Sequence, residues 1–154
     1  MRVYVASSWR NERQPRMVEL LRHHVKCEVY DFRNPPNGTG FAWSQIDPNW
    51  KSWTAQEYKQ ALSHPIAQAG YRADMGAMEW ADICVLVLPC GRSAHLEAGW
   101  FAGQGKPVFV ITQDGEEPEL MAKMCTGGIY TDIVELLQAV RDMAEKIDRE
   151  VATA

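Results

Sequence analysis

The sequence contains no C-x-x-C pair, because its four cysteines are dispersed at positions 27, 84, 90 and 125. Dispersed cysteines are typical of buried free thiols in a reducing compartment rather than of disulfides or a zinc site. No apolar run approaches the ~20 residues that a membrane span requires. The first residues enter a strand pattern directly and lack the layout of a secretory signal. We therefore expect a cytoplasmic protein that does not associate with a membrane.

Basic charge is also scarce, since 16 Lys and Arg stand against 20 Asp and Glu and the formal net charge is −4 at pH 7. This balance argues against binding to nucleic acid. A G-x-G-x-x-G signature does not follow the first predicted strand, where Ala6-Ser7-Ser8-Trp9-Arg10 stands instead. A dinucleotide-binding Rossmann enzyme is therefore set aside. We expect neither a metal nor a cofactor.

The composition itself is that of an ordinary globular protein, with 46% apolar and 23% charged residues. A chain of 154 residues is long enough to bury a sizeable core. No internal repeat or low-complexity tract divides it. We therefore predict one domain over residues 1–154.

Short apolar segments and helical spacing alternate along the chain. Strands are predicted at 3–6, 27–32, 83–88, 108–111 and 128–130. Helices are predicted at 16–24, 54–63, 65–81, 93–103 and 132–150, the second of them started by a Thr54–Glu57 capping box. This alternation implies a parallel sheet covered on both faces. We predict a flavodoxin/Rossmann-like three-layer α/β sandwich whose five-stranded parallel sheet has the order 2-1-3-4-5.

The most informative segment is ICVLVLPCGRSAHLEAG, residues 83–99. Its apolar run predicts a strand buried on both faces, and the small residues that follow predict a helix packed closely on the sheet. Glu97 is thereby placed about one turn into a helix at the carboxyl end of a core strand, the sheet edge where ligands bind in open α/β folds. The alternative is a helix-start acid that only stabilises the helix dipole.

The chain resembles the nucleoside 2-deoxyribosyltransferase family, including its nucleotide N-glycosidase relatives. The resemblance rests on VYVASSW at 3–9, on Asp74 in a helix before 81–83, and on EAG at 97–99 followed by GKPV at 105–108. These pieces occur in the family's order and spacing over residues 2–111. The family cleaves the N-glycosidic bond of a nucleoside or nucleotide through a covalent glycosyl-glutamate ester, with net retention, as retaining glycosidases do.

The resemblance implies a role for each matching residue. Glu97 matches the nucleophile, Tyr4 matches the tyrosine that orients it, and Asp74 matches the aspartate that contacts the substrate and helps protonate the departing base. Other interpretations stay open for two of them, because Tyr4 could be a core aromatic and Asp74 a solvated charge. Of the two remaining ionisable candidates, Asp82 is expected to be a turn or cap residue and His95 a packing or backbone-bonded histidine.

One position departs from the transferase pattern. Transferase members carry an aspartate six residues before the nucleophile, and Gly91 stands there in this chain. The N-glycosidase relatives have a small or hydroxyl residue in this loop, which holds the 5′-phosphate. Gly91, Arg92 and Ser93 suit an anion, because they offer backbone N–H groups, a guanidinium and a hydroxyl at a helix start. We therefore expect mainly hydrolysis.

Aromatic and polar residues near the predicted site complete the expectations. Trp9 is expected to contact the base, and Arg10 and Asn11 lie at the same sheet edge. Four aromatics of the Pro- and Gly-rich loop 33–53 could stack on a base or cover the pocket, or could form a small core or a dimer interface: Phe41, Trp43, Trp50 and Trp53. The resemblance also implies a homodimer.

Three other functions are weighed beside hydrolysis. A nucleoside 2-deoxyribosyltransferase would exchange bases, and a TIR-type domain would cleave NAD with a glutamate on a similar fold. A non-catalytic nucleotide-binding or sensing module would use Glu97 to hold ribose hydroxyls without attacking. Release of free base from a substrate panel separates the catalytic alternatives from the sensing module.

Overall fold

The structure, a computed structural model, describes residues 1–36, 38 and 40–153. Positions 37 and 39 of the predicted loop 33–53, and residue 154, lie outside the described residues. The chain divides into a larger unit, made of Met1–Asp31 with Trp80–Ala154, and a smaller unit, Phe32–Glu79. The single domain over 1–154 stays a prediction.

A five-stranded parallel sheet forms the centre of the larger unit. Its strands are β1 (Arg2–Ala6), β2 (Glu28–Tyr30), β3 (Ile83–Val87), β4 (Val108–Ile111) and β5 (Gly128–Tyr130). They lie in the order β2-β1-β3-β4-β5, and every neighbouring pair is parallel. All residues of β3 and β4 are buried, which is why both strands read as unbroken apolar runs. The predicted strand order is confirmed.

Helices cover both faces of this sheet. On one face, α1 (Arg13–Leu20), which continues into a π-helical turn (Leu21–Val25), and α5 (Ile133–Ala152) pack on the odd-numbered residues of β1 and β3. On the other face, α4 (Arg92–Gly103) packs on β1, β3 and β4 through Ala94, Ala98 and Phe101. Successive strand residues point to opposite faces, so each strand supplies both layers. The predicted three-layer α/β sandwich is confirmed.

Several boundaries differ from the predictions by one to three residues, and the first helix and the second strand show why. The first helix begins at Arg13 rather than at residue 16, because Pro15 is tolerated in a first helical turn whose N–H groups have no acceptor within the helix. The second strand is shorter than 27–32, because the Cys27 N–H donates to Leu21 O in the turn that leaves α1. Asp31 follows the strand and accepts a hydrogen bond from α1 instead of continuing the ladder.

The smaller unit contains α2 (Ala55–Ala61) and the helix α3 (Pro65–Trp80), whose last residue belongs to the larger unit. The predicted capping box starts α2, since the Glu57 N–H donates to Thr54 Oγ1 at 3.2 Å and the Thr54 N–H donates to Glu57 Oε2 at 2.7 Å. None of the helices in the described ranges has the length and apolar character needed to cross a membrane.

Asp82 joins the end of α3 to β3 and pairs with Arg2. The Arg2 N–H donates to Asp82 Oδ2 at 2.8 Å, and Arg2 Nη2 lies 2.6 Å from Oδ1. Burial opposes ionisation of this carboxyl, but the Arg2 hydrogen bonds outweigh it and hold the pKa of Asp82 below its ordinary value. The expected structural role of Asp82 at this junction is confirmed.

We expect Asp82→Asn to lower the free energy of unfolding by roughly 1 kcal/mol at pH 7, a figure already reduced for solvent screening of a partly exposed pair. The contribution is present above the pKa of about 3.9 of an unfolded Asp. It is lost as the pH falls from there through the lower pKa of the folded state. Urea unfolding at pH 7 and pH 3 measures it, with the exposed Glu145→Gln as control. Equal stability of wild type and Asp82→Asn at pH 7 would contradict this role.

Candidate active site

The candidate site is built where β3 ends and α4 begins. β3 ends at Val87, the turn 88–90 follows, and Gly91 is the N-cap of α4. This is the strand–turn–helix arrangement predicted for 83–99, and it lies at the carboxyl edge of the sheet. The loop that follows β1 begins at the same edge, because β1 and β3 are parallel neighbours.

Glu97 lies on α4, half-buried, between the buried residues Ala94, Ala98 and Phe101. The pKa values of two cysteine thiols, those of Cys84 and Cys90, respond to its charge. Burial chiefly raises the pKa of Cys84 and that of Cys90, the latter to about 11, and the negative charge of Glu97 raises both further. Cys84 lies in the middle of β3 and Cys90 in the turn before α4. The Glu97 carboxylate is therefore within electrostatic reach of both the buried strand and the turn.

Tyr4 lies in β1 opposite Cys84 of β3, on the sheet face that α4 covers. Its side chain is 1% exposed. Its ring stacks on Tyr30 at a centroid distance of 5.4 Å and lies 5.6 Å from the ring of Phe101. The ring is thus a core aromatic, as one interpretation of the sequence expected. Cys84, the strand partner of Tyr4, lies within electrostatic reach of the Glu97 carboxylate.

The N-terminus of α4 has the features of an anion site. Gly91 is extended, with φ −89° and ψ −176°, and within the described part of the chain no side chain caps the helix. Arg92 and Ser93 occupy the first turn, are exposed, and have no acidic neighbour in that turn. Uncapped N–H groups at a helix start attract anions. A Cβ added at Gly91 would have no described atom within 4 Å.

Trp9 and Arg10 lie in the loop after β1. The Trp9 side chain is 50% exposed, and Arg10 is exposed with its N–H donating to Ser8 Oγ at 3.2 Å. His95 is held by the turn before α4, since its Nδ1 lies 3.1 Å from Gly91 O and 3.4 Å from Cys90 Sγ. The expectation of a backbone-bonded histidine is confirmed.

Asp74 lies in α3 and is half-buried. One helical turn earlier, Gly70 makes room for Phe41, whose Cβ would be only 2.9 Å from a Cβ added at that glycine. Residues four apart share a helix face, so Phe41 packs on the Asp74 side of α3.

The aromatic loop forms a small core within the smaller unit, one of the expected alternatives. The Trp43 ring makes edge contacts with the rings of Phe41, Trp53 and Tyr58 at centroid distances of 4.8, 5.6 and 5.9 Å. Trp53 Nε1 also donates to Asp47 Oδ2 at 2.7 Å. Phe41, Trp43 and Trp53 are half-buried, whereas Trp50 and Tyr58 are 36% and 50% exposed.

The sequence places Asn11 at the carboxyl edge but does not predict its burial, and it does not identify the buried Gln14. Asn11 is 4% exposed and contacts the turn after β3, and Gln14 is fully buried and donates to Asp31 Oδ1 at 2.9 Å. Gln14 could have been noticed, because it lies three and four residues before Met17 and Val18 on the apolar face of α1. All four cysteines are free thiols. Across the described residues, no three His, Cys, Asp or Glu side chains come together in a way that could hold a metal ion.

The sequence matches no family model, and it has no significant match among curated proteins. Solved structures share its fold, among them those of two enzymes. One is a 2-deoxyribosyltransferase of Bacillus psychrosaccharolyticus, 19% identical over 92% of this chain and 90% of that chain, with a TM-score of 0.59. The other is a CMP N-glycosidase of Clostridium botulinum, 16% identical over 91% of this chain and 98% of that chain, with a TM-score of 0.50. These likenesses show the fold and agree with the family resemblance identified from the sequence.

Proposed function

We propose that the protein cleaves the N-glycosidic bond of a nucleoside or nucleoside 5′-monophosphate, mainly by hydrolysis, with Glu97 as nucleophile. The observation that carries the proposal is the half-buried Glu97 on α4, the helix that begins at the carboxyl end of β3, with its charge raising the pKa of a thiol in that strand and of another in the turn. The proposal is supported by the fold, which is shared with a deoxyribosyltransferase and with an N-glycosidase of CMP.

The reaction proceeds in two displacements at the anomeric carbon. A Glu97 carboxylate oxygen bonds to C1′ while the bond from C1′ to the base nitrogen breaks, and the base leaves with the electron pair and takes a proton. Water then attacks C1′ of the ester, loses a proton, and releases the carboxylate. Two inversions give net retention at C1′.

Two further residues are assigned supporting roles. Tyr4 orients Glu97, an assignment that rests on the family resemblance and is supported by the place of Tyr4 on the sheet face that α4 covers, where its ring packs against Tyr30 and against Phe101 of that helix. Asp74 donates the proton to the departing base, an assignment that rests on the family resemblance.

The start of α4 is proposed to bind the 5′-phosphate. The uncapped first turn, the Arg92 guanidinium and the Ser93 hydroxyl together favour a dianion. Trp9 is proposed to stack on the base through its exposed half, and Arg10 to add positive charge at the same edge. The homodimer and the cytoplasmic location stay predictions.

The proposal is tested with a panel of nucleosides, nucleoside 5′-monophosphates and NAD, followed by chromatography for free base. Release of base from a nucleoside or its monophosphate is expected. Release from NAD alone would favour the TIR-type reaction. Binding of a nucleotide without any release would leave the sensing module as the function.

Base exchange is the second candidate, favoured by the TM-score of 0.59 with the deoxyribosyltransferase. Gly91 distinguishes the two reactions, because an incoming base has no carboxylate there to orient it. We expect Gly91→Asp to raise the ratio of exchanged nucleoside to free sugar by about 3- to 10-fold, the equivalent of one hydrogen bond. The extended backbone and open space at Gly91 accept the new side chain.

Gly91→Ser is the matched control, because serine also caps α4 but brings no carboxylate. The measurement uses a labelled nucleoside and an excess of a second free base. Wild-type protein that already accumulates the exchanged nucleoside well above free sugar would show that Gly91 does not direct the enzyme to hydrolysis.

A further inference from the structure

We propose that Asn11 is a positioning residue, which holds the turn between β3 and α4 and thereby fixes the Glu97 carboxylate. The contact between Asn11 and the turn is given by hydrogen-bond distances and does not depend on the reaction. The consequence for catalysis rests on the proposed function.

The Asn11 side-chain amide donates hydrogen bonds to the turn after β3. Its Nδ2 lies 3.1 Å from Val87 O, 3.0 Å from Pro89 O and 3.0 Å from Ser7 Oγ. Val87 is the last residue of β3, and Pro89 comes two residues before the N-cap Gly91. The side chain is 4% exposed, so water does not readily replace these contacts.

Neighbouring side chains hold the same carbonyl groups. The Ser7 hydroxyl donates to Val87 O at 2.8 Å, and Arg13 Nη1 donates to Leu88 O at 3.3 Å and to Gln113 Oε1 at 2.8 Å. Three consecutive carbonyl groups, those of residues 87, 88 and 89, are therefore bound by side chains from the segment after β1. Asn11 contributes to the first and the last of them.

Asn11 also contacts the start of α1, because its Oδ1 accepts at 2.9 Å the N–H of Arg13, the first residue of that helix. One side chain thus joins the loop after β1 to the turn after β3. From Pro89 the backbone reaches Glu97 through the first turn of α4, so a shift of this turn moves the carboxylate. A misplacement of about 1 Å can cost on the order of 10²-fold in rate when a reacting group must be aligned.

Asn11→Asp separates the two roles of this residue. An aspartate keeps the oxygen that accepts the Arg13 N–H, but it presents an oxygen to Val87 O, Pro89 O and Ser7 Oγ where the amide presented a donor. Val18→Ala is the control, because Val18 is buried on α1, the helix that Asn11 precedes, and belongs to the apolar cluster rather than to the turn. If Asn11→Asp fails to fold, Asn11→Ala and Ser7→Ala are compared with Val18→Ala instead, because each removes a side-chain hydrogen bond to the turn.

Two readouts are measured on the intact chain. Hydrogen exchange of peptides covering 88–98 should be faster in the Asn11 variant than in Val18→Ala, with exchange of β4 unchanged. Turnover should fall by about 10-fold or more while KM changes by no more than about 2-fold, since alignment is felt mainly in the transition state. The exchange readout does not depend on the reaction, so it tests the hold on the turn even if no base is released.

Equal exchange of residues 88–98 in the Asn11 and Val18 variants would overturn the proposal. A loss of turnover no larger than that of Val18→Ala would overturn the catalytic consequence. Absence of base release by the wild type, with faster exchange in the Asn11 variant, would instead reject the proposed function and keep Asn11 as the residue that holds the turn.

Discussion

Replacing Glu97 by glutamine is expected to reduce the rate of base release by at least ~10³-fold, because the amide cannot form the glycosyl ester and the loss corresponds to roughly 4 kcal/mol of transition-state stabilisation. The fold should survive, because the side chain is only half-buried and glutamine has nearly the same shape. Initial rates of base release and thermal unfolding, measured on the same preparations, check both statements.

The Cys90 thiol provides a control for the position of the carboxylate. Burial and then the charge of Glu97 raise its pKa to about 11, so Glu97→Gln should lower that pKa. The rate of Cys90 alkylation, followed as a function of pH, reports this shift. A folded Glu97→Gln protein with full turnover would end the proposed mechanism, and an unfolded one would identify Glu97 as a structural residue.

A 5′-phosphate should increase kcat/KM by roughly 10- to 150-fold over the matching nucleoside, the range expected for a charge-assisted contact of ~1.5–3 kcal/mol. Arg92→Ala should remove most of this preference while leaving the rate on the nucleoside nearly unchanged. The physical reason is that, in the proposed site, the Arg92 guanidinium and the uncapped start of α4 contact the phosphate and not the nucleoside. The comparison requires kcat/KM for one nucleoside and its monophosphate at the same ionic strength.

Arg16→Ala is the matched control for this preference, because it removes an exposed arginine from α1 rather than from α4. It should keep the preference for the monophosphate. Equal wild-type rates on nucleoside and monophosphate would reject phosphate binding at Arg92 and Ser93 and would make the nucleoside the substrate.

The strand order could be predicted because each buried strand has its own apolar pattern and each is followed by a helix. The run 83–88 is unbroken since β3 is covered on both faces by helices. Boundaries were harder to predict. Nothing local distinguishes Asp31 from a strand residue, and its contact with Gln14 comes from a different element.

Only those residues of the candidate site whose position follows from their spacing to a nearby strand could be predicted from the sequence. Glu97 follows from the distance between a core strand and the helix after it, and the structure confirms that helix. Asn11 could be placed at the sheet edge in this way, but its hydrogen bonds to the turn could not be predicted, because its partners Val87 and Pro89 lie 76 and 78 residues further along the chain. The aromatic loop admitted several interpretations, and only the edge contacts of Trp43 identify it as a small core.

The most direct test is to trap the glycosyl-enzyme ester. The best substrate from the panel is replaced by its 2′-deoxy-2′-fluoro analogue, in which fluorine slows breakdown of the ester through an oxocarbenium-like transition state. After an acid quench and proteolysis, mass spectrometry should find the sugar moiety on the peptide that carries Glu97, and it should be absent from Glu97→Gln. Release of base with that peptide unmodified, or with the sugar on another residue, would contradict the account.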